Sequence, residues 1–439
     1  MGRRARQFPL QEVTNSPMMS RTHLISFADQ ALFSVSNFVL SVGLVRVFNE
    51  TEYAGYGIAL SIALFIQSVQ RGFNIQILLL DAERFAGKAK DFLGGHIIIL
   101  GAALSIPLLA YVYLRAAGAP TLTADIAAAT VASVAIYFQV DVNRIFLIKR
   151  GHQVWSLAAS ALLSSGYALV IALGYTKAIT FQEGMLGLAA LFVVISAAIA
   201  WAGIWPDFGR GWRELVRDLR AVMAWTTVGA LASGAYSHLP VFILGAVQAP
   251  IYTAGYVATR NLLQPLQVLV RGLDIADKHV FSSRADQKDL RGGIQWPILR
   301  NILASVLYAM PIYALAEVLL TRVYGEKFAA FAPALQFWIL VFVVVAPILP
   351  LESMIYERRN AKTYSIGIIT CGIVTAAAAY PLIHAWNVMG AIAVSLLGYS
   401  LHLIVAGFVA WRSQKLFLQR HAETALRRLG RDIEVGRMS

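Results

Sequence analysis

ETEYAGYGIALSIALFIQSVQRGFNIQI, at residues 50–77, recurs in outline 200 residues later as PIYTAGYVATRNLLQPLQVLVRGLDIAD, at residues 250–277. Both copies carry Ala-Gly-Tyr, a glutamine, Arg-Gly and an isoleucine at matching places, and both lie among other mainly apolar stretches. A repeating unit of this length is far longer than a solenoid repeat and is typical of two related groups of membrane spans. The repeat therefore predicts a transporter with a substrate site between its halves.

The composition indicates a membrane protein independently of the repeat. Of the 439 residues, 58% are hydrophobic and 14% are charged, a balance that a water-facing surface cannot cover. We expect an all-α integral membrane protein with twelve transmembrane helices in two pseudo-symmetric six-helix lobes. The apolar stretches of span length lie near 24–46, 53–75, 92–114, 124–148, 153–175, 184–205, 222–246, 251–275, 299–320, 332–351, 364–385 and 389–411.

The basic residues predict the orientation, because Lys and Arg stay on the cytoplasmic side during insertion. With the N-terminus inside, most of the 37 Lys and Arg residues fall in inside segments. Both termini are therefore predicted to be cytoplasmic, and the net charge of +13 needs no nucleic-acid partner. The predicted outside loops hold only Arg115, Lys177, Arg322 and Lys327.

Four segments follow from this topology. An N-terminal lobe (1–205) and a C-terminal lobe (222–411) are joined by an amphipathic cytoplasmic linker (206–221), and a basic tail (412–439) ends the chain. In the linker, apolar side chains share one helical face and arginines occupy most of the rest. This pattern predicts an interfacial helix at anionic headgroups, so membrane lipids are expected partners.

Polar residues inside the spans predict the site, because a charge at the bilayer centre costs about 2.5–3.5 kcal/mol and normally faces a cavity or a partner. Arg260 is placed near mid-depth in its span. A cationic, hydrogen-bonding lining suits a phosphate headgroup, which Arg binds in a bidentate manner, and carbohydrate hydroxyls. The substrate-binding candidates are Arg260, Arg71, Arg271, Arg144, Asn37, Asn261, Gln264 and His238, and the ion-coupling candidates are Asp29 and Asp141.

Simpler explanations exist for several of these residues. Arg71, Arg271 and Arg144 can snorkel, and Asp141 and Arg144 can pair across one helical turn. Asp29 can couple transport to protons or sodium, or it can simply pair with a neighbouring arginine. No histidine has metal-ligand spacing, and no phosphate-cradling glycine loop or zinc signature occurs, so neither a metal nor a cofactor is expected.

The N-terminal part of the chain resembles a known family. The stretches that carry the resemblance are Phe27-Ala28-Asp29-Gln30, Ser34-Val35-Ser36-Asn37-Phe38, Glu52-Tyr53-Ala54-Gly55-Tyr56 and Gln70-Arg71-Gly72. They resemble the bacterial polysaccharide biosynthesis membrane proteins, the Wzx-type oligosaccharide flippases, whose superfamily also holds lipid II flippases and MATE exporters. The resemblance is most specific over residues 20–80, and beyond that region it rests on the span count and the repeat.

The resemblance implies a V-shaped pair of lobes in the bacterial inner membrane. Such proteins move an undecaprenyl-diphosphate-linked oligosaccharide to the periplasmic leaflet, beside a glycan polymerase and chain-length machinery. In that picture Arg71, Arg144, Arg260 and Arg271 receive the diphosphate, and Asp29 and Asn37 line the lower cavity.

Two alternatives remain. A MATE-like antiporter for small cations shares this fold, but it favours acidic residues in its cavity. A membrane-embedded glycan polymerase or ligase is expected to carry a large outward loop, whereas the outside loops predicted here are short.

Overall fold

The computed structural model describes residues 21–70, 82–149, 152–201, 210–266, 270, 291–357 and 360–438, and these residues are almost entirely helical. In the N-terminal half the helices are α1 (Arg21–Val47), α2 (Glu50–Gln70), α3 (Ala82–Ala116), α4 (Thr121–Lys149), α5 (Gln153–Tyr175) and α6 (Phe181–Trp201). In the C-terminal half they are α7 (Arg210–Val247), α8 (Pro250–Leu262), α9 (Arg291–Ala314), α10 (Ala316–Tyr324), a 3₁₀ helix (Glu326–Phe331), α11 (Ala332–Val345), α12 (Ile348–Glu357) and α13 (Ala361–Met438).

Within the described ranges, nine helical stretches are long and apolar enough to cross a bilayer. Two of the twelve predicted spans, 53–75 and 251–275, are not among the nine, and both run into residues outside the described ranges. The predicted spans 364–385 and 389–411 fall together in one stretch, Ala361–Leu416. The membrane-protein class is confirmed at this level, and the count of twelve stays a prediction.

The long helix α13 is a hairpin of two helical arms. Its backbone leaves helical geometry at Asn387, where φ is 48°, a conformation that Asn tolerates better than most residues. The two arms are antiparallel, as the hydrogen bond between Tyr364 on one arm and His402 on the other shows. On one straight helix these two residues would be about 57 Å apart. The turn requires Gly390, since a Cβ atom there would collide with the backbone carbonyl of Leu382.

Within each half the helices pack in a compact group. In the N-terminal half α2 lies along α4, α1 along α5, and α4 along α6. In the C-terminal half α13 packs on α7, α11 and α12. The core between them is rich in buried aromatic rings, among which Tyr53, Tyr236 and Tyr256 are fully buried.

The two copies of the sequence repeat meet at the junction of the halves. Helix α2 packs on α7 and α8, so the first copy contacts the second directly. Gly57 lies against the side chain of Val257, and a Cβ atom at Gly57 would clash with it. Small residues at such crossings allow two helices to approach closely. The repeat therefore forms the central seam of the molecule.

We predict that Gly390→Ala destabilises the protein by about 1–3 kcal/mol, because the new methyl group meets backbone atoms that cannot rotate away. Gly407→Ala is the matched control farther along the same arm of α13, since nothing lies within 4 Å of a Cβ atom there. It should be neutral or slightly stabilising, because Ala favours helix over Gly by about 1 kcal/mol. Thermal unfolding in detergent measures both, and equal effects would argue against the tight turn.

Candidate functional site

A cavity of about 350 Å³ lies between the two halves. Helices α1, α2 and α4 line it from one half, and α7, α8, α9, α11, α12 and α13 line it from the other. Its volume is typical of a small-molecule site. The polar residues of its lining are Gln30, Ser34, Gln67, Ser68, Tyr137, Ser233, Tyr236, Ser237, His238, Arg260, Gln264, Ser305, Glu352, Tyr399 and His402.

Arg260 brings a positive charge to this cavity. It lies near the end of α8, and its guanidinium carbon is 5.9 Å from the centroid of the Trp338 ring. That distance is within the range of a cation–π contact, which holds the guanidinium without neutralising it. Among the residues that the structure describes, no carboxylate pairs with Arg260 and no acceptor hydrogen-bonds it. Its donors are therefore available to a ligand.

Asn261, the next residue, faces the seam between the halves. Its Nδ2 donates to Ser41 Oγ of α1 at 2.6 Å, and Ser41 also hydrogen-bonds Tyr53 of α2 at 2.7 Å. Gln264 Nε2 donates to Asn261 Oδ1 at 2.8 Å and lines the cavity beside it. Of these two predicted site residues, Asn261 therefore joins the halves and Gln264 faces the cavity.

Arg144 and Asp29 form a buried ion pair in the N-terminal half, as the pairing explanation of Asp29 predicts. Arg144 Nε donates to Asp29 Oδ2 at 2.8 Å, and the guanidinium lies 4.4 Å from the Phe33 ring centroid. Ser156 donates to the same carboxylate oxygen at 2.8 Å, and Ser160 donates to the other. Only 7% of Arg144 and 2% of Asp29 is exposed. Both charges are engaged with each other outside the cavity lining.

The remaining predicted residues are placed as follows. Asn37 Oδ1 accepts hydrogen bonds from Tyr137 and Tyr167, each at 3.0 Å, so it positions Tyr137 at the cavity wall. His238 lines the cavity, with its ring packed edge-on against Phe65. Arg71 and Arg271 lie outside the described residues, as does the side chain of Asp141.

The sequence-based set lacks most of the polar cavity residues, among them Glu352 and His402. Glu352 was predicted to begin an inside loop, but α12 continues to Glu357 and turns Glu352 toward the cavity. His402 faces the same space from α13. Leu349 with Glu352, and Tyr399 with His402, are three residues apart and share a helical face, but only the structure shows that these faces line the cavity.

The halves are also joined at the far end of α1, in a group that we call the clamp: Arg46, Glu50, Arg322, Val323 and Lys327. Arg46 donates to the backbone carbonyls of Val323, at 2.8 Å, and Arg322. Lys327 Nζ contacts Glu50 Oε2 at 2.6 Å, and this hydrogen bond holds the pKa of Glu50 below its ordinary value. The clamp lies at one end of α1, whereas the cavity contacts α1 through Gln30, Phe33 and Ser34 toward its other end. The cavity is thus closed off on the clamp side.

Comparison with known proteins shows which solved structures share the fold of this chain. No protein-family profile matches the chain, and no curated protein matches it in sequence. Among solved structures, it is similar to the lipid II flippase MurJ in an inward closed conformation, with a TM-score of 0.69 and 12% identity over 88% of this chain and 86% of that one.

Two further transporters of the same superfamily have this architecture. A MOP superfamily transporter from Pyrococcus furiosus, described as having a binding pocket of reverse polarity, aligns with a TM-score of 0.62 at 14% identity, over 89% of this chain and 94% of that one. An inward-facing multidrug resistance MATE transporter aligns with a TM-score of 0.55 at 17% identity, over 92% and 97%. At these identities the likeness establishes the fold, that of MOP superfamily transporters.

We predict that Asp29→Ala costs about 3–5 kcal/mol of stability, because it leaves the Arg144 guanidinium buried without its carboxylate. The double variant Asp29→Leu with Arg144→Met should recover most of that loss, since both charges are then removed. Glu50→Ala, which breaks an exposed pair, should cost less than about 1 kcal/mol. Unfolding in detergent measures the stability of each variant. A double variant no more stable than Asp29→Ala would contradict the pairing.

A second prediction concerns the clamp. Arg46→Met removes the two donations to backbone carbonyls and should populate conformations in which the halves are further apart at this end. Spin labels on cysteines at Thr51 and Glu326, in a Cys371→Ser background, report that distance without touching the clamp residues. Arg115→Met, at the exposed end of α3, is the control. An unchanged distance distribution in Arg46→Met would show that the clamp does not hold the halves together.

Proposed function

We propose that the protein is a flippase that moves an undecaprenyl-diphosphate-linked oligosaccharide from the inner to the outer leaflet of the bacterial cytoplasmic membrane. One observation carries the proposal above the others. A guanidinium that forms no ion pair with a described carboxylate, Arg260, stands in a cavity between two related halves of a MOP-type transporter fold. An uncompensated cation inside a membrane protein needs an anion, and the anion best matched to a guanidinium is a phosphate.

The rest of the lining supports a glycan attached to that phosphate. Serine, glutamine and tyrosine side chains outnumber charged ones in the cavity, and they can exchange hydrogen bonds with sugar hydroxyls. Each polar group that enters hydrocarbon without a partner costs several kcal/mol. A polar passage between the halves replaces the lost hydration, while the lipid tail stays in the bilayer.

The proposal includes a topology of two six-helix lobes with both termini in the cytoplasm. In that orientation the clamp is periplasmic, and the cavity opens toward the cytoplasmic leaflet, where the lipid-linked glycan is made. Release to the other leaflet then requires the clamp to open and the inner ends of the halves to close, and the two states must differ in affinity for the headgroup. A glycan polymerase and chain-length machinery would use the product.

Among the predicted arginines, we assign the diphosphate to Arg260. Arg71 and Arg271, at equivalent positions of the repeat, would guide it at the cytoplasmic mouth. Arg144 would join them only in a state in which its pair with Asp29 is open, and in that state Asp29 and Asp141 would be free to bind a coupling ion. The fold is that of transporters, so the polymerase or ligase alternative has no support from it.

A second candidate function is export of small organic cations, as in MATE transporters. Glu352 favours it, because this carboxylate faces the cavity and suits a cation. The candidates differ in their charge requirement: cation export should depend on Glu352, and headgroup transport should depend on Arg260. Ethidium efflux from cells that express Glu352→Gln or Arg260→Ala separates the two.

We predict that Arg260→Ala slows transport by about 10- to 100-fold, because hydrogen bonds to a charged group contribute about 1.5–3 kcal/mol. The assay reconstitutes the protein in vesicles of phosphatidylethanolamine and phosphatidylglycerol with a fluorescent undecaprenyl-diphosphate oligosaccharide, and follows bleaching of the outer leaflet by dithionite. Arg260→Lys should be intermediate, since it keeps the charge but loses the forked geometry. Arg115→Ala is the control for loss of an exposed arginine. Full activity of well-folded Arg260→Ala would sink the proposal.

A further inference from the structure

A continuous row of hydrogen bonds ends at the cavity wall in the C-terminal half. Tyr236 of α7 contacts His402 Nδ1 at 2.7 Å, and Tyr364 contacts His402 Nε2 from the other arm of α13. Tyr364 donates in turn to Glu352 Oε1 of α12 at 2.5 Å. His402 Nε2 is also 3.4 Å from that carboxylate oxygen. Three separate helices thus meet at one imidazole.

The directions of these hydrogen bonds follow from the final acceptor. An ionised Glu352 can only accept, so Tyr364 donates its proton to Glu352. Tyr364 oxygen then accepts from the imidazole N–H at Nε2, which leaves Nδ1 to accept from the Tyr236 hydroxyl. Neutral His402 therefore fits the row without conflict. A second proton at Nδ1 would give an imidazolium beside a carboxylate, and the Tyr236 hydroxyl would have to turn round.

The surroundings make this imidazole the group on which the cavity's charge depends. Of the elements packed on this part of α13, α11 carries no titratable residue, α12 brings Glu352, α7 brings Tyr236 and His238, and α8 brings Tyr256 and Arg260. Glu352 is partly exposed, with 27% of its side chain accessible, so water can exchange protons with the row. Histidine is the side chain whose charge normally changes between pH 5 and 8.

We propose that His402 and Glu352 form a proton-binding site that switches the cavity between anion-accepting and anion-rejecting states. Among the described lining residues, the fixed charges are Arg260 and Glu352, which do not pair with each other but give a net charge of zero when both histidines are neutral. One proton from cavity water, bound at His402 Nδ1, leaves a net charge of +1 facing the ligand. The inference rests on the proposed function insofar as the ligand is anionic. It adds that headgroup binding takes up a proton.

The site also reaches the junction of the halves. Tyr236 belongs to α7, one of the two C-terminal-half helices that pack on α2, and its backbone oxygen accepts a hydrogen bond from Ser395 of α13 at 3.3 Å. A turn of the Tyr236 hydroxyl on protonation therefore occurs where α7 and α13 are held together. The same proton that changes the charge of the cavity changes a contact of the helix that bears on the other half.

The test measures anion binding by the purified protein at pH 6 and pH 8, first with inorganic sulfate, whose charge is constant over that range. Wild type should bind sulfate at least threefold more tightly at pH 6. His402→Gln should lose this difference, since its amide can still accept from Tyr236 and donate to Tyr364 but gains no charge. His384→Gln, an exposed histidine on α13, should keep it.

Glu352→Gln should strengthen sulfate binding, whereas His402→Gln should remove the gain in binding at pH 6. The variant Glu352→Gln therefore tests the proposal even if His402→Gln fails to fold. Removal of the carboxylate raises the net charge of the described lining from zero to +1, so this variant should bind sulfate at pH 8 about as tightly as wild type does at pH 6. The proposal is overturned if wild type shows no pH difference, if His402→Gln keeps it, or if Glu352→Gln weakens binding at pH 8.

The same titrations with a fluorescent undecaprenyl diphosphate separate this inference from the proposed function. Binding of both probes with the expected pH dependence supports both. Sulfate binding with the pH dependence, but no lipid binding at either pH, leaves the proton site standing and refutes the lipid substrate. Lipid binding with no pH dependence in wild type supports the lipid substrate and refutes the proton site.

Discussion

Inside a membrane, a polar group without a partner has no water to replace it, and this constraint accounts for most of the polar contacts in the structure. Asp29 and Arg144 form an ion pair, and two serine hydroxyls donate hydrogen bonds to the Asp29 carboxylate. Asn261 forms hydrogen bonds across the seam, and Asn37 accepts hydrogen bonds from two tyrosines. Against this background Arg260 differs, because the described residues leave its donors unused in a cavity.

The sequence repeat explains why a cavity exists at that place. Two related groups of helices meet through α2 and α8, α2 and α3 also pack on α7, and the clamp joins the halves at the end of α1. Away from these contacts, toward the other end of α1, the halves diverge and leave polar faces exposed to each other. The arrangement has one end joined by the clamp and one lined hollow, which is the geometry that the proposed alternating access requires.

The sequence was informative wherever the signal was local. Composition and span length predicted the membrane class, and depth along one span singled out Arg260. Pairings between distant segments could not be predicted, since nothing local links Arg144 to Asp29, which is 115 residues away. Glu352 was missed for another reason: a carboxylate at the end of an apolar run resembles the start of a loop, and only the extra turns of α12 place it in the cavity.

The central claim is that the hollow between the halves receives a phosphate-bearing headgroup at Arg260. A cryo-electron microscopy structure of the protein in lipid nanodiscs, with an undecaprenyl-diphosphate oligosaccharide added, tests it most directly. The account predicts diphosphate density within hydrogen-bonding distance of the Arg260 guanidinium, with sugar density along the serine and glutamine side chains of the lining. A headgroup bound on the lipid-facing exterior, with the hollow empty, would contradict it.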